Sequence, residues 1–290
     1  MHKATLSPLI LACLAATWLI WGSTYLAIKF ALPAFPPFWQ MGSRFLVAGA
    51  MLLAWTRWRR QPLPTALQWR NAALVGALML GSGMGCTAYA EQYVASGLVV
   101  AFIAVVPATI ALINRCFGIR PSRLELLGIS VGFIGVLLLV RGEGFSGAPA
   151  GLIAISIACV SWSLGSVLSQ RKFPLAPGAV GFASEMLAGG ALLVIASALF
   201  GETPQWPPPP LAATAWVYLV IFGSLLAFNA YMVLLAHGNA VLASSYTFVN
   251  PVIAMLLGIG LAGETVSHFE WLATGVILAG VVLLVIGRKA

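Results

Sequence analysis

Apolar residues in this chain come in long unbroken runs, not in alternation. Runs of spanning length fall near 8–30, 38–56, 71–90, 96–117, 123–140, 149–170, 178–200, 211–235, 240–262 and 268–287. Each approaches the ~20 residues that carry a helix through hydrocarbon. The pattern therefore predicts an all-α polytopic membrane protein of ten transmembrane helices. Helix breakers mark the joins: Pro33, Pro36 and Pro37, then Pro62 and Pro64, Pro121, Pro174 and Pro177, and the stiff run Pro207 to Pro210.

Polar residues inside the runs carry more information than the runs themselves. The stretch Ser244-Ser245-Tyr246-Thr247-Phe248-Val249-Asn250-Pro251 puts four hydroxyls, an amide and a proline inside an otherwise apolar segment. In lipid each such group must find a protein or water partner. A proline there removes a backbone hydrogen bond and bends the helix. Such a helix packs at a kink or lines a cavity. Pro107, at the matching place in an earlier helix, favours the cavity and makes Pro107 and Pro251 candidate hinges.

Composition narrows the class. The chain of 290 residues is 61% hydrophobic and 8% charged, about a third of the soluble average charge density. No connection is long enough to bury a soluble core. The net charge of +8 does not indicate nucleic-acid binding, because the basic residues sit in short loops where they set topology. With the N-terminus in the cytoplasm, the inner side holds Lys3, Arg57, Arg59, Arg60, Arg70, Arg115, Arg120, Arg123, Arg171, Lys172, Arg288 and Lys289. The outer side holds Lys29 and Arg141, and Arg44 lies within the second run. Both termini are expected to be cytoplasmic, in a bacterial inner membrane, with the first run from Leu6 to about Phe30 retained as a span. Cys13, Cys86, Cys116 and Cys159 lie inside apolar runs, and His2, His237 and His268 fall at helix ends. Neither set has metal-ligand spacing, so no metal and no cofactor is expected.

The chain also repeats itself. Gly22-Ser23 with Lys29-Phe30 matches Gly165-Ser166 with Lys172-Phe173 at an offset of 143. Ser43-Arg44-Phe45-Leu46 matches Ser184-Glu185-Met186-Leu187 at 141, and Gly81-Ser82 with Tyr89 matches Gly223-Ser224 with Tyr231 at 142. Pro107 matches Pro251 at 144, and Glu125 with Gly135 matches Glu270 with Gly280 at 145. Residues 1–145 and 146–290 then form two five-helix repeats. An odd number of crossings forces the second to enter the membrane inverted, with a central cavity between the halves.

The segments Trp21-Gly22-Ser23-Thr24-Tyr25, Ser43-Arg44-Phe45-Leu46, Tyr246-Thr247-Phe248-Val249-Asn250-Pro251 and Gly263-Glu264-Thr265 resemble the EamA-type branch of the drug/metabolite transporter superfamily. The resemblance covers nearly the whole chain as two repeats. It is similar to bacterial inner-membrane exporters of amino acids and related metabolites, aromatic amino-acid exporters among them. It implies a ten-helix basket around a central cavity and efflux from the cytoplasm, and leaves the cargo open.

Candidate substrate contacts follow from helix faces. Trp18, Gly22, Tyr25 and Lys29 share one face of the first helix, and Trp162, Ser166 and Ser169 share one face of its twin. Each aromatic is as readily explained by packing as by stacking on a substrate. Ser82, Tyr89, Ser224, Asn229 and Tyr231 add neutral polar groups from the third and eighth helices, and Ser245, Tyr246 and Asn250 from the ninth. Arg44 and Glu185, at twin positions inside spans, are candidates for a substrate's carboxylate or amine, or for structural ties. Glu91 and Glu264 are expected at outer helix ends, solvated or capping, and Glu125 and Glu270 at helix starts, where an acid favours the helix dipole. Gly81 to Gly85, and Gly128 with Gly132, read as close-approach positions. Trp55, Trp58, Trp69, Trp206 and Trp271 read as an interfacial belt.

The expected function is export of neutral or aromatic amino acids by alternating access, by a monomer whose partners are a small-molecule substrate and membrane lipid. The alternatives are drug or other small-metabolite efflux and, from another class, a membrane-embedded enzyme or sensor. An enzyme is disfavoured because the chain has no Asp and no catalytic grouping of His.

Overall fold

The computed structural model describes residues 7–237 and 246–287, and these are mainly helical, with no strand among them. Ser244 and Ser245 therefore lie outside the described residues. Among the described residues helix underlies each predicted run, the run at 240–262 being described only from Tyr246. In order, the elements are α1 (Pro8–Ala31), α2 (Pro37–Trp58), α3 (Ala66–Gly76), α4 (Gly85–Ala90), α5 (Ser96–Ile103), α6 (Val106–Cys116) and α7 (Arg123–Val140). They continue with α8 (Pro149–Arg171), α9 (Gly178–Leu199), α10 (Pro210–Tyr218), α11 (Ala227–His237), α12 (Tyr246–Ala262) and α13 (His268–Gly287). Eight described stretches are long and apolar enough to cross a membrane, and Val249–Ala262 is a shorter apolar helix. The helix α2 is 22 residues long but falls outside the eight; Gln40, Ser43, Arg44 and Arg57 dilute its apolar character.

Local sequence sets the boundaries. Ser7 accepts from Ile10 N at 3.3 Å and Pro8 occupies the first turn, so α1 starts there. Two capping boxes open α7 and α13: Ser122 with Glu125, and Ser267 with Glu270. They are the helix starts that the two acids were expected to make.

Two breaks in α-geometry recur at matched places. Residues Ala77–Met84, between α3 and α4, wind as a π-helix, and so do Leu219–Leu226, between α10 and α11. The two are 142 residues apart, the offset at which Gly81-Ser82 matches Gly223-Ser224. The prolines differ. Pro107 follows a break at Ala104–Val105 that separates α5 from α6, whereas Pro251 sits inside the continuous α12.

Helices pack through small residues. The pairs α2 with α9 and α7 with α13 have the most extensive contacts. A Cβ on Gly42 would lie 2.8 Å from Val194 N, and one on Gly280 would lie 2.4 Å from Gly132 N. Only glycine lets these backbones approach so closely. Gly128 packs against Gly280 and Leu284, so the glycine pair at positions 128 and 132 marks a helix contact, as expected. Around this frame α1 packs on α12, and α8 packs on α6 and on the π segment 77–84.

Candidate functional site

A cavity of about 90 Å³ lies where α1, the 77–90 stretch, α5, α6, α8 and α12 converge. Its lining includes Tyr25, Met84, Thr87, Cys159, Trp162, Tyr246 and Thr247, with Gly83, Ile103, Val106 and Ala158. Among the described residues no charged side chain lines it. The polar surface is hydroxyl, and the ring surface comes from one indole and two phenols. The Thr87 hydroxyl already donates to Gly83 O, one turn back, at 2.8 Å. Tyr246 packs edge-on to Trp21 with centroids 4.8 Å apart, and Trp21 meets Tyr231 at 5.3 Å. The Trp21 indole N–H donates to Gly223 O at 3.2 Å, in the second π segment.

Of the sequence candidates, Tyr25, Trp162 and Tyr246 meet in this cavity, and the others stand elsewhere. Trp18, near the middle of α1, packs against the cluster of Ile10, Leu14 and Leu234. With its amide nitrogen turned toward two carbonyls, buried Asn250 donates to Trp18 O at 3.1 Å and to Tyr246 O at 3.2 Å, tying α12 to α1. Ser166 donates to Trp162 O in its own helix at 2.7 Å. Tyr89 stacks on Phe38 and shares a hydroxyl contact with Tyr93 at 3.2 Å. Asn229 lines a separate groove of about 330 Å³ with Met51, Leu52, Trp55 and Leu225. Glu185 is buried on α9.

Arg44 is buried between α2 and the second π segment. Its Nε donates to Ser224 Oγ at 2.8 Å, and its guanidinium lies 4.9 Å from the Phe45 ring centroid. Among the described residues no carboxylate lies within ion-pair distance of it.

The end of the bundle where α1 finishes is tied by carboxylates. Glu264 accepts from Lys29 Nζ at 2.6 Å, from Ser96 N and Oγ at 2.8 and 2.9 Å, and from Gly97 N at 3.3 Å. It thereby caps α5 from across the sequence and pairs with α1. Burial pushes the Glu264 carboxyl up, but the Lys29 ammonium and the Ser96 donors outweigh that and hold it below the ordinary glutamate range. Glu202 likewise caps α2, accepting from Trp39 N at 2.8 Å and Phe38 N at 3.2 Å. Glu270 reaches Gly144 N at 2.8 Å.

Glu91 corrects an expectation. It was expected to be solvated or capping, yet it is 4% exposed and neither carboxyl oxygen has a hydrogen-bond partner among the described residues. It follows the last residue of α4, and α5 starts only five residues later, so the intervening turn folds its side chain inward. Sequence reasoning also missed Trp21, Met84, Thr87 and Thr247. Trp21 and Thr247 stood in the quoted motifs, but only the packing of α1 against α12 shows which side of each helix turns toward the cavity.

Comparison with known proteins completes the site's context. A family model described as the EamA-like transporter family matches the chain twice, over residues 6–141 and 149–286. The inner membrane transporter YedA of Escherichia coli K12, described as uncharacterized, is 44% identical over 99% of this chain and 94% of its own length. Protein PecM of Dickeya dadantii is 27% identical over 93% of this chain and 92% of its own. A solved crystal structure with 24% identity superposes with a TM-score of 0.67 over 97% of this chain and 98% of that one, a likeness of fold. Two matches to one family model, which together span nearly the whole chain, and a relative 44% identical over 99% of it place this protein in the EamA-like transporter family, as a multi-pass transporter of the inner membrane.

Proposed function

We propose that the protein exports neutral or aromatic amino acids, or closely similar small metabolites, from the cytoplasm by alternating access between two inverted five-helix halves, residues 1–145 and 146–290, with both termini cytoplasmic. The observation that carries the cargo class is the cavity lined by Tyr25, Trp162, Tyr246 and hydroxyls, with no charged side chain on its wall among the described residues. Ring faces suit a planar or apolar side chain, and hydroxyls suit a polar backbone end. A doubly anionic cargo would want several cations there. Arg44, a helix away and without a carboxylate partner among the described residues, is the proposed receiver of a substrate carboxylate.

Several features support the inverted arrangement. The π segments share the repeat offset. The helices α2 and α9 are matched elements that pack on each other, as are α7 and α13, which is how elements near a two-fold axis behave. Under that axis the contact of α1 with α12 exchanges with that of α8 with α6. The cavity of about 90 Å³ is well below the ~300–1,000 Å³ of ordinary ligand sites, so cargo entry requires the halves to part. The carboxylate ties at the Lys29 end are the proposed outer closure.

Purified protein reconstituted in liposomes should exchange labelled amino acids, with aromatic or neutral ones preferred. Absence of exchange with every amino acid and amine tested, in vesicles that hold folded protein, would remove this reading. Exchange of lipophilic drugs alone would favour the drug-efflux alternative.

A further inference from the structure

We propose that Glu91 is a proton-binding site of the outer closure, so that closing the Lys29–Glu264 clasp takes up a proton from the outer solution. This rests on the alternating-access reading above.

The argument begins with an imbalance of charge. At this end of the bundle Glu264 already holds the Lys29 ammonium at 2.6 Å and satisfies its remaining lone pairs with backbone donors of α5. Glu91 lies close enough to feel both groups, yet neither of its oxygens has a donor among the described residues. The charged and titratable groups that act on it are Glu264 from the turn after α12 and Lys29 from α1, with the Tyr25 hydroxyl of α1 also coupled to it. It also follows the C-terminus of α4, where free carbonyls disfavour an anion. Burial first and the Glu264 charge second drive its carboxyl well above the ordinary glutamate range, and Lys29, already engaged, offsets this only in part. A carboxylate left ionised and unpaired in such a place costs far more than binding a proton does. Glu91 is therefore neutral while the clasp is shut.

The proton balance is simple. In the open form Glu91 meets water and ionises in the ordinary range. Closure adds one proton from water to one carboxylate oxygen, and no bond other than that O–H forms or breaks. When Glu91 loses the proton it becomes a second anion competing with Glu264 for Lys29, which loosens the clasp. The sign follows. The group binds its proton more tightly in the closed form, so closure is favoured at low pH. It weakens as pH rises from the ordinary glutamate value toward the raised one, by up to about tenfold in the closed-to-open ratio per pH unit. Lys29, with a third of its side chain exposed, provides the aqueous approach.

The test uses the full chain in lipid nanodiscs, with native cysteines replaced and spin labels at Pro33→Cys and Thr265→Cys, two exposed positions flanking the clasp. The label separation should lengthen as pH rises. In Glu91→Gln, which keeps the shape of the neutral acid, it should stay short at every pH at which Glu264 remains ionised. Infrared spectra of the parent at neutral pH should contain a protonated-carboxyl component that disappears in Glu91→Gln and survives in Glu185→Gln, which removes another buried carboxyl away from the clasp. Absence of that component, a pH-independent separation in the parent, or an unchanged pH dependence in Glu91→Gln would each overturn the proposal. Neither readout needs a cargo. Failure to find a transported amino acid would remove the cargo reading and leave this one standing, whereas flux with no pH-linked separation would do the reverse.

Discussion

Glu264 and Arg44 carry the residue-scale predictions. Replacing Glu264 by Gln removes the anion from Lys29 and weakens the cap on fully buried Ser96. A buried donor left short of its acceptor costs about 1–3 kcal/mol, so the melting temperature should fall by several degrees. Because the Glu264 carboxyl is held low, its contribution is complete above the ordinary glutamate range and is lost as pH falls through the lowered value. Melting curves of the parent should therefore drop on acidification more steeply than those of Glu264→Gln. For Arg44, substitution by Gln should raise KM for an amino acid by about tenfold or more, the scale of a lost charge-assisted hydrogen bond of ~1.5–3 kcal/mol. The decarboxylated amine should be unaffected. Equal losses for acid and amine would return Arg44 to a structural role beside Ser224. At this scale the sequence was partly legible. Tyr25, Trp162 and Tyr246 could be picked out because aromatic and hydroxyl groups deep in a span need a reason. Glu91 could not, because its place at an outer helix end suggested water, and only the folding of the 91–95 turn against α5 buries it.

Among elements, the glycine seam between α7 and α13 and the interrupted helices give opposite expectations. Gly280→Leu would drive a side chain into the backbone of Gly132 and Gly128, where α7 has no room to yield. Overpacking of this kind costs about 1–3 kcal/mol or more, so a thermal melt of the purified variant should show clear destabilisation. Pro107→Ala and Pro251→Ala should leave folding intact and slow turnover if these helices bend during transport, as flux in liposomes would show. Unchanged flux would count against hinges. The runs of apolar residues placed most described helix ends within about two residues, since caps such as Ser122 with Glu125 are local chemistry, but the helix at 71–90 starts five residues earlier, at Ala66. The π segments were not readable. A one-residue widening of a turn leaves no hydropathy signature, although the matched Gly81-Ser82 and Gly223-Ser224 pairs marked where they lie. The polar content of α2 shows the converse: the residues that hold it in the bundle, Gln40 and Arg44, are the ones that lower its resemblance to a lipid-facing span.

For the whole molecule, the proposed transport cycle rests on one geometric relation, the proposed inversion of two like halves. Family membership and the twofold match of the family model follow from the chain itself. The inversion is inferred from the number of crossings per repeat and from which helices face each other. Pro33, after α1, and Pro177, before α9, are both exposed, and both lie in the first turn region of their half, 144 residues apart. Single cysteines at these two positions, in a background lacking the native thiols, can be labelled with a membrane-impermeant maleimide in intact cells. Inverted halves place Pro33→Cys within reach from outside and expose Pro177→Cys only after the cells are opened. Labelling of both from the same side would contradict the inversion and, with it, the alternating-access account.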